Sequence, residues 1–263
     1  MRANLGPAAD NSSWRRSGSN GKDFINSASS RSVSVLGNLA QDNEIEEEGS
    51  AEATVAPGLS ERALLSTGIR IGTLVKTKSM AQFVSRTQAN GLHVLDVSKT
   101  LSRIDTAAKF IARAEIGRVV VYSAREYAKT PIEKFCEVTG AVALTGRFMP
   151  GTFTNPLFPR HIDPEIVLVA DPAVDFQALD EAAKLGIPVV AICDTDNVTA
   201  NVDVVIPANN RGRSALAAIF WLLARHVLLH SGAMSSEQQM KYSIEDFETK
   251  LVEEDEERTY ESS

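Results

Sequence analysis

The chain has little of what secreted and membrane proteins depend on. Only two cysteines occur in 263 residues, Cys136 and Cys193, each inside an apolar segment. Two such thiols cannot build a disulfide framework, so a pair of buried free thiols in a reducing compartment is expected. No apolar run is long enough to cross a bilayer, because the best stretch, 215–229, is broken by Arg225 and His226. The N-terminus lacks the charged, apolar and small-residue succession of a secretory signal. These absences lead to the expectation of a cytoplasmic chain with no membrane partner. Nucleotide signatures are missing as well: there is no G-x-x-x-x-G-K-[ST] loop and no G-x-G-x-x-G after a strand. The turn after "RVVVYS" (118–123) reads "AREYAKT", with no glycine to let a pyrophosphate approach the backbone.

What is present is an ordinary hydrophobic content of 43%, enough for a real core. The net charge of −7 is unevenly placed. Residues 1–60 carry five Lys/Arg against eight Asp/Glu, and residues 236–263 carry three against ten. The stretch between them holds 19 against 16, a mildly basic body with acidic ends. Such a body permits an RNA partner without requiring one.

Three regions follow: a disordered, Ser- and acid-rich extension over 1–59, a folded core over 60–232, and an acidic, partly helical tail over 233–263. Ser60 is placed to cap a first short helix. "MAQFVSRTQANGLHVLDV" (80–97) reads as two strands around an Asn90-Gly91 turn. Beyond it, helices alternate with apolar runs. Helices are expected over 101–115, over 130–140 (with Thr130 as cap and Pro131 in the first turn), over 175–186 and over 213–232. Strands are expected over 118–123, 141–145, 165–171, 187–194 and 202–207. The alternation predicts an α/β fold, a mostly parallel sheet with helices on both faces. Phe110, Tyr122, Phe135, Phe220 and Trp221 are assigned to its core.

Polar residues gather where such sheets bind ligands, beyond the carboxyl ends of the strands. Asp194 and Asp196 leave one strand as a carboxylate pair, but no third acid stands nearby, so they are read as turn-holding residues. His226 and His230 lie one helical turn apart without the glutamate of H-E-x-x-H, and a helix-surface or core role is expected. No catalytic residue, metal or cofactor is assigned. One enzyme alternative stands, a phosphosugar-binding domain of the sugar-isomerase type, whose strand-loop-strand rhythm matches 187–207. Its Ser/Thr- and glycine-rich phosphate loop is not found after Ser123.

Several consecutive motifs carry a resemblance. "GIRIGTLVKTKSM" (68–80), "GLHVLDVSKTLSRIDTAAKFIAR" (91–113), "KFCEVTGAVALTGRFMPGTFTNP" (134–156), "VLVADPAVDFQALDEA" (167–182), "IPVVAICDTDN" (187–197) and "VDVVIPANNRGRSALAAIFWLLAR" (202–225) follow one another in order. Together they resemble the small-subunit ribosomal protein S-two family, which includes the laminin-receptor precursors. The absence of the bacterial helical insertion and of tryptophan-bearing C-terminal repeats points to the archaeal type. The resemblance implies a flavodoxin-like or Rossmann-like sheet without a nucleotide. It also implies a non-enzymatic constituent of the small subunit near the head–body junction, in contact with rRNA and neighbouring ribosomal proteins.

Under that reading, phosphate contacts fall to lysines, arginines and nearby donors. The stretch 70–103 supplies Arg70, Lys76, Lys78, Arg86, Lys99 and Arg103 against a single acid, Asp96, with Thr100 as a possible hydroxyl donor. A second group, Asn209, Asn210, Arg211 and Arg213, stands at the start of the long helix, whose positive end favours an anion. Arg147, in the loop "GRFMPGTFTNP" (146–156), and Arg160, beside His161, complete the candidates.

Overall fold

The computed structural model describes residues 54–56, 59–235, 238 and 240–250. The expectations for 1–53 and for the acidic run beyond 250 lie outside these residues. Strand pairing begins inside the segment read as extension: β1 (Thr54–Ala56) runs antiparallel to β2 (Leu59–Ser60). Ser60 then caps α1 (Glu61–Ser66), its hydroxyl accepting the Ala63 amide at 3.2 Å. The Asn90-Gly91 turn joins β3 (Val84–Thr87) to β4 (His93–Leu95), with Gly91 at φ 85° as a tight hairpin requires.

Two helices start where the sequence reading did not put them. α2 (Val97–Ile111) begins four residues early, capped by Asp96, whose carboxylate accepts the Ser98 amide at 3.1 Å. α3 (Glu126–Thr139) also begins early, so Pro131 sits inside it rather than at its start. A proline there removes the amide that would serve the Tyr127 carbonyl. Thr249 repairs the loss by donating its hydroxyl to that carbonyl at 2.9 Å. Gly140, at φ 89°, ends α3 as expected.

The remaining elements follow the predicted alternation: β5 (Val119–Ser123), β6 (Val142–Thr145), β7 (Ile166–Val169), α4 (Phe176–Leu185), β8 (Val189–Cys193), β9 (Val204–Pro207) and α5 (Arg213–His230). A last turn, α6 (Ile244–Phe247), is closed by a Ser243–Asp246 capping box and buries Phe247 completely. The five strands β5 to β9 form one parallel sheet in the order β6-β5-β7-β8-β9. This is the flavodoxin-like order, whose winding reverses between β5 and β7.

Side chains alternate across each strand, and the two faces build two cores. Val119, Val121, Leu168, Val190 and Ile192 pack under α2, α3 and α5. α5 is apolar nearly all round and runs between the other two helices. Val120, Tyr122, Val167, Val169 and Ala191 face the other way, toward α4, Phe83 and Leu95 of the hairpin region, and the loop residues Phe148 and Phe153. The sheet thus holds its strand ends, and the loops on them, in a fixed frame.

Candidate nucleic-acid interface

The reversal between β5 and β7 is where such a sheet leaves a crevice for ligands. Here the chain fills that crevice with its own side chains. Ser123 ends β5, and the amides that would cradle a phosphate after it are already used. The Ala124 amide donates to Asp175 Oδ1 at 2.7 Å, and the Arg125 amide to Ser123 Oγ at 3.1 Å. The Arg125 guanidinium closes on Asp171, just past β7, with Nε 2.7 Å from Oδ2. Asp171 is 1% exposed. Its other oxygen accepts from Asn197 Nδ2 at 2.9 Å, and Asn197 Oδ1 in turn receives Asn210 Nδ2 at 3.0 Å and the Asp194 amide at 2.6 Å. One hydrogen-bonded chain therefore links the ends of β5, β7, β8 and β9.

Burial leaves its mark on the acids of this network. It pushes the Asp175 carboxyl up to about 6 against the hydrogen bonds from the Ala124 and Asp171 amides. It likewise lifts Asp194 to about 6 against the bond from the Thr195 amide. Burial also drives the Cys136 thiol up to about 12 and moves Cys193 well above its ordinary range, so neither is a ready nucleophile.

A strap over residues 68–77 covers the ends of β8 and β9. The Thr73 amide donates to Thr195 Oγ1 at 2.9 Å, the Thr77 amide to the Thr195 carbonyl at 2.9 Å, and the Thr77 hydroxyl to the Asn197 carbonyl at 3.0 Å. Asn209 fixes the other end, its amide bonding the Ile69 carbonyl and its Nδ2 the Gly68 carbonyl. Gly72 has to be glycine for this seat: a Cβ there would lie 2.5 Å from Thr195 Cγ2. The phosphosugar alternative loses its site to this packing. Asp194 and Asp196 are likewise committed, the first to the Thr195 amide and the second to an ion pair with Arg211.

The family pattern described as Ribosomal protein S2 matches residues 64–158 and 159–229, most of the chain. The chain belongs to the ribosomal protein S2 family. Archaeal relatives named small ribosomal subunit protein uS2 match most of the chain. That of Nitrosopumilus maritimus is 54% identical over 195 residues, 74% of this chain and 94% of the relative. That of Cenarchaeum symbiosum is 53% identical over 196 residues, again 74% and 94%. That of Thermoplasma acidophilum is 45% identical over 193 residues, 73% and 97%.

In this S2-family chain the basic residues expected to meet RNA divide into three settings. Lys76 and Lys78 are exposed on either side of the strap's Thr77, and Arg211 beside Asp196 borders the loop that Thr77 holds. Lys99 and Arg103, one turn apart on α2, both lean on the turn at 80–83. Lys99 Nζ donates to the Gln82 carbonyl at 2.6 Å, and the Arg103 guanidinium stands 5.5 Å from the Phe83 ring centre. Arg86 is exposed on β3 next to this turn. Arg147 and Arg160 are exposed on the loop after β6, while Arg70 and Arg213 are half-buried.

Three polar candidates make hydrogen bonds within the fold. Thr100 is buried, its hydroxyl donating to the Pro207 carbonyl at 2.6 Å. Asn210 is fully buried in the crevice network. Asn209 holds its turn, its Oδ1 accepting the Arg211 and Gly212 amides. The residue that locks the loop 146–156 is one the sequence reading missed. Glu181 of α4, 3% exposed, accepts the Gly151 amide at 2.7 Å, the Phe153 amide at 3.1 Å and the Thr154 hydroxyl at 3.3 Å. Burial raises its carboxyl, but these bonds and one from Gln177 outweigh it and leave a net lowering. A glutamate on the apolar face of a predicted helix was the available signal.

Proposed function

We propose that this chain is a non-catalytic, structural constituent of the small ribosomal subunit, binding rRNA and neighbouring ribosomal proteins near the head–body junction, in the cytoplasm. The observation that carries this reading is the closed crevice. The place where a related sheet would hold a small ligand is packed with Arg125, Asp171, Asn197 and the strap, while the strap's outer side offers Lys76 and Lys78 to solvent. The names of the archaeal relatives support the same conclusion.

The rRNA contact runs through Lys76, Lys78, Arg86, Lys99, Arg103 and Arg211, with Arg147 and Arg160 as a second point of attachment. It reads phosphate and helix shape and makes little base readout. Exposed Leu74, Val75 and Val198 beside the strap lysines give the same rim an apolar component suited to a protein neighbour. The folded core over 60–232 carries both contacts. The negative charge of the acidic ends is repelled by RNA and suits basic neighbours.

The test is the salt dependence of binding between the full chain and small-subunit rRNA. Each phosphate contact contributes about 0.7–0.9 to the slope of log affinity against log salt. Replacing Lys76, Lys78 and Arg86 together by alanine is expected to lower that slope by about 2. An unchanged slope would remove the strap and hairpin from the interface.

A further inference from the structure

α2 and α5 pack against each other, and three donor groups converge at the solvent edge of that contact. Asp105 Oδ1 lies 2.7 Å from His230 Nε2 and 3.4 Å from His226 Nδ1. All three ligand atoms fall within 4.8 Å of one another. The side chains are one quarter to one third exposed, so an ion has access. We propose that Asp105, His226 and His230 form a binding site for a divalent transition metal of the zinc class, clamping α2 to α5.

The chemistry of the donor set selects the metal. Two imidazole nitrogens and one carboxylate oxygen suit zinc, cobalt or nickel, whereas magnesium and calcium take oxygen ligands. Bonds of about 2.0–2.2 Å place neighbouring ligand atoms of a tetrahedral zinc about 3.3 Å apart. The His226–Asp105 separation already has that value. The shorter His230–Asp105 contact is a hydrogen bond, and it opens by a small side-chain rotation when the metal replaces its proton.

The surroundings prepare the carboxylate. Lys109 donates to Asp105 Oδ2 at 2.6 Å, which fixes the group and leaves Oδ1 to face the two rings. Lys109 and Arg225 are the cations near the site, and they set a limit on its affinity. The sequence assigns both histidines to the helix surface or core because no glutamate follows His226, and Asp105 stands 125 residues away from His230.

The experiment uses the full chain, stripped with chelator at pH 7.5 and titrated with cobalt and then zinc. One cobalt per chain is expected, with visible absorption bands of a nitrogen-ligated, low-coordinate ion, displaced by zinc and accompanied by a rise in melting temperature. Asp105→Asn and His230→Gln should each weaken binding by about tenfold or more while the chain stays folded by circular dichroism. His93→Gln, on the distant hairpin, should leave binding unchanged. Binding should also weaken between pH 7.5 and 5.5, because protons compete for the imidazoles. Failure to saturate, or one-to-one binding that survives both ligand substitutions, would overturn the site. Neither result bears on the ribosomal reading, which rests on other residues.

Discussion

Gly72→Ala tests the seating of the strap most sharply, because it adds one methyl group where none fits. The new Cβ would stand 2.5 Å from Thr195 Cγ2 and 2.9 Å from both Thr195 Oγ1 and the His93 carbonyl. None of these atoms is a free tip. Thr195 Oγ1 accepts the Thr73 amide at 2.9 Å, and the His93 carbonyl accepts the Gly72 amide at 2.9 Å. Relief therefore moves backbone and stretches at least one of those bonds. Overpacking of this kind costs about 1–3 kcal/mol, and a weakened hydrogen bond adds about 0.5–1.5 kcal/mol. Alanine also stiffens the unfolded chain, which returns about 0.4–1 kcal/mol. The net loss should be about 1–3 kcal/mol, a fall in melting temperature of about 3–10 °C for a domain of this size. Urea or thermal unfolding of the full chain measures it. Adding Thr195→Ser removes the nearest atom, Cγ2, and keeps the hydroxyl, so it should recover part of the loss. A Gly72→Ala protein within about 0.5 kcal/mol of the parent would refute the seating.

Other perturbations reach the same frame from different sides. Arg125→Ala strips the partner from buried Asp171 and should cost about 3 kcal/mol or more in chemical unfolding, whereas a purely surface pair would cost under about 1 kcal/mol. Glu181→Ala leaves the Gly151 and Phe153 amides without their acceptor. A loss of about 1–3 kcal/mol and faster proteolytic cleavage within 147–160 are expected, and an unchanged cleavage pattern would count against the loop lock. The pH profile follows from Asp175 and Asp194, each raised from 3.8 to about 6 on folding. The folded chain holds protons there that the unfolded chain releases. Their contribution is complete below pH 3.8 and is lost as pH rises through about 6, so these two acids raise stability as pH falls from 7.5 to about 5. His226 opposes them in part: burial lowers its imidazole, which costs stability once pH falls below 6.5. Asp105, lowered to about 2, has the opposite sign and turns the curve over below about pH 4. Asp175→Asn should flatten the slope near pH 6, and an unaltered slope would remove Asp175 as its source.

The sheet was legible because runs such as "VVVYS" and "VVAIC" have no polar alternation and so no solvent face. The long helix was legible for the same reason. Helix starts were less so. Thr130-Pro131 has every mark of an N-terminus, and only the hydroxyl of Thr249, 122 residues away from Tyr127, makes room for a proline inside α3. Asp96 was counted as the lone acid of a basic stretch and proved to be the cap of α2. The ends of the strands are recognisable in the sequence as the ligand-bearing region of the fold, and the turn after Ser123 as one without the glycine that a pyrophosphate needs. The means of closure was not visible, since Arg125 meets Asp171 across 46 residues and Thr73 meets Thr195 across 122. Local sequence carries no register for such pairs. Exposure of Lys76, Lys78 and Arg86 and burial of Thr100 and Asn210 depend on the same long-range packing.

The most direct test of the ribosomal reading is sedimentation of the tagged full chain from a gentle cell lysate at moderate salt, with and without ribonuclease. Co-migration with the small subunit, abolished by ribonuclease, is the predicted result. A slow peak that ribonuclease does not change would contradict it.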